Sequence, residues 1–294
     1  VNPYPPMSVF RRLLAAGVGA AAARYALREI RSAPAGPALE RTNFRGRTVT
    51  LAAGPALAIG ASGAAAAGAA SVPAGAATLV AGLGAGAVGL YDDVVGARPE
   101  QQAAKGFTGH LAALQQGRVT AGLVKIAGVG AAGLAAAVLL SADAGVAGHR
   151  RRQRQSALGR GVDVLLGAGV VAGTANLVNL LDLRPGRALK SGLLLGAPLT
   201  GGRHGGIAAG AVGASTGLLP ADLGEDVMLG DSGANSLGAV LGVALAARTG
   251  PLGRAALLTA LVGLTAASEK VSFTSVIAST PGLRELDALG RRAD

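Results

Sequence analysis

The 294-residue chain has no cysteine and no tryptophan, and aromatic residues make up only 2% of it. Without cysteine there is neither a disulfide nor a thiolate metal site. The three histidines, His110, His149 and His204, are scattered and do not supply the clustered ligands of a zinc centre. The scarcity of aromatics removes the usual interfacial belt of a membrane protein. It also removes the aromatic-interleaved basic surface that would let a net charge of +11 read as a nucleic-acid footprint, so no nucleic-acid partner is expected. Charged residues are few, at 15%, whereas hydrophobic residues reach 50%. With a positive mean hydropathy, this balance suits an integral membrane protein better than a soluble domain. Such a protein spends its basic residues on topology and on anionic headgroups.

The apolar stretches are built from Ala, Gly, Leu and Val. Continuous apolar runs argue for helices, since a membrane barrel needs alternating residues. About nine spans can be drawn, at residues 9–27, 49–70, 72–90, 119–142, 161–181, 188–199, 205–219, 232–247 and 252–267. The expected fold is therefore an all-α, polytopic helical bundle over residues 1–268, followed by an amphipathic tail over 269–294. The first stretch follows Arg11-Arg12 and contains Arg24, and no convincing cleavage site follows it. It reads as a span rather than a signal peptide. With the N-terminus outside, the inner segments carry more Lys and Arg than the outer ones. The arginine cluster at 150–154 opposes that orientation, because it then falls outside. Small residues on the helix faces permit a homodimer without requiring one.

Three acidic motifs lie at the ends of these stretches. They are Gly89-Leu90-Tyr91-Asp92-Asp93-Val94-Val95-Gly96, the run from Asn176 through Asn179 to Asp182, and Leu229-Gly230-Asp231-Ser232-Gly233. Carboxylates beside lipid-immersed helices are costly and mark ion sites, proton paths or reaction centres. The orientation above puts all three motifs on one face. Each has a plainer reading: Asp92-Asp93 as a solvated pair, Asp231 as a helix cap, and the asparagines as interhelical hydrogen-bonding groups. Taken together, they indicate one composite site. Oxygen ligands without His or Cys favour Mg²⁺, or Mn²⁺, over zinc. Lys105 and Lys125 are the cations in reach, although Lys125 also reads as a side chain snorkelling to the headgroups. A metal with cationic side chains at a membrane face suits phosphoryl transfer involving a lipid phosphate.

At these residues the chain resembles the polyprenyl-phosphate N-acetylhexosamine-phosphate transferase superfamily. Asn43-Phe44-Arg45-Gly46-Arg47 is similar to its first cytoplasmic loop, and Gly89 to Asp93 to its aspartate-pair motif. Lys105-Gly106 and Gly122 to Lys125 are similar to its following basic positions. Asn176 to Asp182 resembles its Asn-x-x-Asn-x-x-Asp run, and Leu229 to Gly233 its Gly-Asp motif. The resemblance implies an enzyme of the plasma membrane with its active face in the cytoplasm. There, a polyprenyl phosphate would attack a nucleotide-diphosphate sugar, with UMP leaving, to make a lipid-linked diphosphate sugar for envelope synthesis. It further implies Asp231 as metal ligand, Asp92 and Asp93 on the lipid phosphate or metal, and Asn176, Asn179 and Asp182 on the nucleotide side. Lys105 and Lys125 would contact phosphate. Two features depart from the family. Pro185 stands where a second aspartate is common, and Ser268 to Phe273 occupy the place of a His-rich loop. Arg184 and Arg187 then read either as substitute phosphate contacts or as inner-face anchors. The alternative expectation is a non-catalytic homologue that serves as a scaffold or lipid-phosphate partner. An ion-coupled transporter is disfavoured, because no internal repeat is visible.

Overall fold

The computed structural model describes residues 8–43, 45–98, 113–143 and 156–292. Nine main helices follow in order among these residues: α1 Val9–Ser32, α2 Ala53–Ala67, α3 Val72–Tyr91, α4 Ala121–Ser141, α5 Ala157–Leu181, α6 Arg187–Gly196, α7 Gly205–Leu223, α8 Gly230–Arg248 and α9 Pro251–Ser268. Two short helices, α10 Phe273–Ser279 and α11 Leu283–Ala288, form the tail. A small hairpin, β1 Glu40–Thr42 with β2 Thr48–Thr50, joins α1 to α2. A helix thus overlaps each of the nine apolar segments read from the sequence, although not each is long and apolar enough to be a span.

Local chemistry sets the boundaries. Ser71, Thr120 and Ser156 accept from the third following amide and start α3, α4 and α5. Prolines occupy the first turns of α3 and α9, where the missing N–H costs nothing.

α8 forms the axis of the bundle. It packs most extensively on α3 and α5, then on α2, and is buried over most of its length. Small residues allow this closeness: a Cβ on Gly238 would strike the Thr174 carbonyl and, at 2.5 Å, the Ala175 Cα. α1 packs on α7 and α2, whereas α9 lies chiefly along α5 and leaves most of its surface exposed.

Among the described residues, four helices are long and apolar enough to cross a membrane: Val72–Gly96, Ala121–Ser141, Ala157–Leu181 and Pro251–Ser268. α2 is apolar but shorter. The remaining segments differ for physical reasons. α1 carries Arg11, Arg12, Arg24, Arg28 and Arg31, α6 has only 10 residues, and α7 and α8 hold polar residues along their length, among them Thr216, Asp222, Asp231 and Asn235.

The helix ends sort into two groups. At one end Asp143 binds Ser71 and Arg203, Arg12 donates to the Gly202 carbonyl, and Arg248 donates to those of Leu199 and Gly201. At the other end the C-termini of α3 and α5 meet the N-termini of α4 and α8, and all three acidic motifs gather there.

Candidate functional site: an acid cluster bridged by one lysine

α3 does not end cleanly. Its last turn widens into a π-helical turn, Asp92–Gly96, of the kind often found at functional sites. Gly89, one turn earlier, lies so close to α8 that any Cβ would run into the Asp231 carbonyl. α8 begins at Gly230, whose φ of +63° places it in the left-handed region natural to glycine. A side chain there would also meet the Asp93 carboxylate, at 2.8 Å. The two glycines bring the aspartate pair of α3 onto the first turn of α8.

The four motif aspartates then take distinct roles. Asp93 accepts from the backbone amides of Asp231 and Ser232, both at 2.9 Å. It thereby caps α8 from 138 residues away in sequence, where helix dipole and orphan amides favour an anion. Asp92 and Asp231 share one cation, since Lys125 Nζ lies 2.6 Å from a carboxylate oxygen of each. Asn235 Nδ2 donates to the Asp231 carbonyl at 2.8 Å. Asp182, at the end of α5, accepts from the Gly230 amide. Burial, followed by the negative charges of Asp222, Asp231 and Asp93, pushes its carboxyl well above the ordinary carboxylate range.

Asp92, Asp93, Asp182 and Asp231 line one cavity of about 460 Å³, open at its mouth and shared with Arg41. Arg41 Nη2 donates to the Asp93 carbonyl at 3.0 Å. Asp182 and Met228 also line a narrower neighbouring cavity of about 220 Å³, whose walls include Asn43, Arg184, Pro185 and Glu225. Glu225 is buried and holds a left-handed φ of 57°, uncommon for a residue with a side chain. It accepts from Asn43 Nδ2 at 2.7 Å and pairs with Arg45 at 3.2 Å. The β1–β2 hairpin is thus fastened to the loop before α8, and a bridge between Thr50 and Val227 reinforces the joint.

Other expected site residues lie elsewhere. Asn176 donates to Thr265 Oγ1 on α9 at 2.9 Å, and Asn179 Oδ1 is buried without a hydrogen-bond partner. Neither lines the two cavities. Arg187 is buried and pairs with Asp287 of the tail, at 2.8 Å. Lys105 and the arginine cluster at 150–154 lie outside the described residues. Arg41 and Glu225 were not singled out from the sequence. For Glu225 the available signal was an acid between the end of α7 and the Gly-Asp motif.

The arrangement gives two half-buried carboxylates that hold one cation between them, beside a helix N-terminus and an arginine. Among the described residues, no group of three or more His, Asp or Glu side chains is placed to hold a metal ion. No model of a known protein family matches the chain, and no curated protein does.

Proposed function

We propose that this chain is a membrane phosphoglycosyltransferase akin to the polyprenyl-phosphate N-acetylhexosamine-phosphate transferases. The observation that carries the reading is the meeting of Asp92, Asp93, Asp182 and Asp231 around one cavity. Those residues come from three sequence motifs that the resemblance singles out, and their order and spacing alone do not require them to meet.

In this reading a lipid phosphate oxygen attacks the β-phosphorus of a nucleotide-diphosphate sugar. A new P–O bond forms, the bond from that phosphorus to the bridging oxygen breaks, and nucleoside monophosphate leaves. Asp92 and Asp231 suit Mg²⁺, which commonly takes one or two carboxylates and leaves its other positions to water and phosphate. Their sharing of the Lys125 ammonium is the observation behind that fit. When bound, the ion would neutralise charge on the phosphates. Lys125 supplies a second cation that moves from the carboxylates toward phosphate. Asp93 fixes the α8 N-terminus, so that Asp231 stays in register. The Asp182 side of the cavity, with Arg184 beside it, takes the nucleotide. The reaction lies at the cytoplasmic face of the plasma membrane and needs the bilayer as the source of its acceptor.

A second reading has one observation in its favour. Lys125 occupies the space between Asp92 and Asp231, and Pro185 stands in the narrower cavity where an acid is common in the family. A non-catalytic homologue that binds lipid phosphate as an assembly partner accommodates both. Incubation of purified protein with Mg²⁺, a polyprenyl phosphate and a panel of nucleotide sugars separates the readings. Release of nucleoside monophosphate by the native chain and its loss in Asp231→Asn support transfer. Lipid-phosphate binding with no release from any donor supports the scaffold.

A further inference from the structure

The tail beyond α9 returns to the acidic end of the bundle. There it grips the loop that walls both cavities. Arg187, buried in the first turn of α6, donates Nε and Nη2 to the two carboxylate oxygens of Asp287, at 2.8 and 2.9 Å. Its Nη1 donates to Thr274 Oγ1 at 2.9 Å. Lys190 Nζ donates to the Leu286 and Asp287 carbonyls at 3.0 and 2.8 Å. Arg291 completes the arrangement: its Nη2 donates to Asp287 at 2.6 Å, and its Nε to the Pro185 carbonyl at 2.9 Å. Arg292 donates to the Gly224 carbonyl at 3.1 Å.

One carboxylate, Asp287, is therefore held by two arginines, one from the bundle and one from the tail itself. Bidentate arginine–carboxylate pairs are directional as well as strong. An interfacial anchor would need only apolar side chains and a positive charge. This tail instead spends a guanidinium on the backbone of a loop that separates α5 from α6. From inside, the same loop is held at Gly186, whose amide donates to the buried Asp222 carboxylate at 2.8 Å. Asp182, Arg184 and Pro185, which lead directly into these two holds at Pro185 and Gly186, line the narrower cavity.

We infer that Asp287 and Arg291 are positioning residues, which with Arg187 strap the C-terminal segment across the loop at 182–186 and set the nucleotide-side wall of the cavity. The kinetic half of this inference rests on the transfer reaction proposed above, whereas the structural half does not. The test uses the full chain in detergent or nanodiscs. In Arg291→Ala, which removes the hydrogen bonds to Asp287 and to the Pro185 carbonyl, amide hydrogen exchange over residues 182–190 speeds up about tenfold or more. Thermal stability elsewhere is unchanged, and Arg291→Lys restores most of the protection. In the transfer assay the same variant raises KM for the nucleotide sugar about five- to tenfold and leaves KM for the polyprenyl phosphate unaltered.

Unchanged exchange in Arg291→Ala overturns the inference. So does an equal rise in both KM values, or a general loss of Tm that Arg291→Lys fails to rescue. Faster exchange in a chain that transfers no sugar-phosphate upholds the strap and removes the transfer reading.

Discussion

Lys125 is the side chain on which the site's electrostatics turn. Its ammonium touches Asp92 and Asp231 equally, and all three side chains are largely withdrawn from solvent. Removing one partner from such a set leaves charges uncompensated, at a cost between the roughly 1 kcal/mol of a surface pair and the roughly 3–5 kcal/mol of a buried one. Lys125→Met is therefore expected to lower Tm and then to regain it in millimolar Mg²⁺, because the two carboxylates are left to share another cation. Thermal-shift measurements with and without Mg²⁺ check this. An unresponsive Lys125→Met variant would count against a cation site at the pair. Asp93 behaves differently, since its carboxylate is engaged by two α8 amides. Asp93→Ala removes a helix cap and should destabilise the protein by about 1 kcal/mol. Asp231→Asn keeps that cap and leaves Lys125 paired with Asp92, so it should cost less stability than Asp93→Ala while abolishing transfer. Chemical denaturation of the two variants shows the contrast.

Among the elements, the tail titrates most clearly. Burial raises the Asp287 carboxyl, but the hydrogen bonds and charges of Arg187 and Arg291 outweigh it and hold the group below its ordinary 3.8. A depressed folded-state value contributes stability above the unfolded value and loses it as pH falls through the folded one. The strap should thus stay docked at pH 5 and above and loosen progressively as pH falls below the ordinary carboxylate value toward the depressed one. Exchange at the α11 amides, corrected for its intrinsic pH dependence, reports this as a loss of protection confined to acid.

The helices and their order were legible in the sequence, because continuous Ala-, Gly-, Leu- and Val-rich runs without alternation leave few alternatives to helix. The gathering of the three acidic motifs at one end was also legible, through the parity of helix direction, whereas order and spacing alone did not require their contact around one cavity. Which helices face lipid was not. α8 is the more polar of the last two long helices, with Asp231, Asn235 and Arg248, yet it is the axis of the bundle, whereas the more apolar α9 lies at its edge. Tertiary packing, not apolar content, sets which of the two is wrapped by other helices. The Asn43–Glu225 and Arg187–Asp287 contacts were equally hidden, since each joins residues at least 100 positions apart and no local pattern links them.

The whole molecule carries large apolar side chains on the outside of several helices, among them Phe10, Leu13, Leu83, Val138, Leu165 and Val262. A soluble monomer rarely shows so much exposed apolar surface. The bundle should therefore require detergent for extraction. The absence of cysteine makes its orientation measurable, because each introduced cysteine is a unique reporter. With the acidic end in the cytoplasm, Thr42→Cys should be protected from a membrane-impermeant maleimide in whole cells. Gly201→Cys, at the opposite end, should react. The reverse pattern would put the acid cluster outside and remove access to cytoplasmic nucleotide sugars.

In the proposed reaction, the acid cluster transfers a sugar-phosphate to a lipid. Following the β-phosphate label of a nucleotide sugar into organic-extractable polyprenyl lipid tests it most directly. The account predicts Mg²⁺-dependent incorporation by the native chain and none by Asp231→Asn. Label that stays aqueous with every donor, or enters lipid equally well in Asp231→Asn, would contradict it.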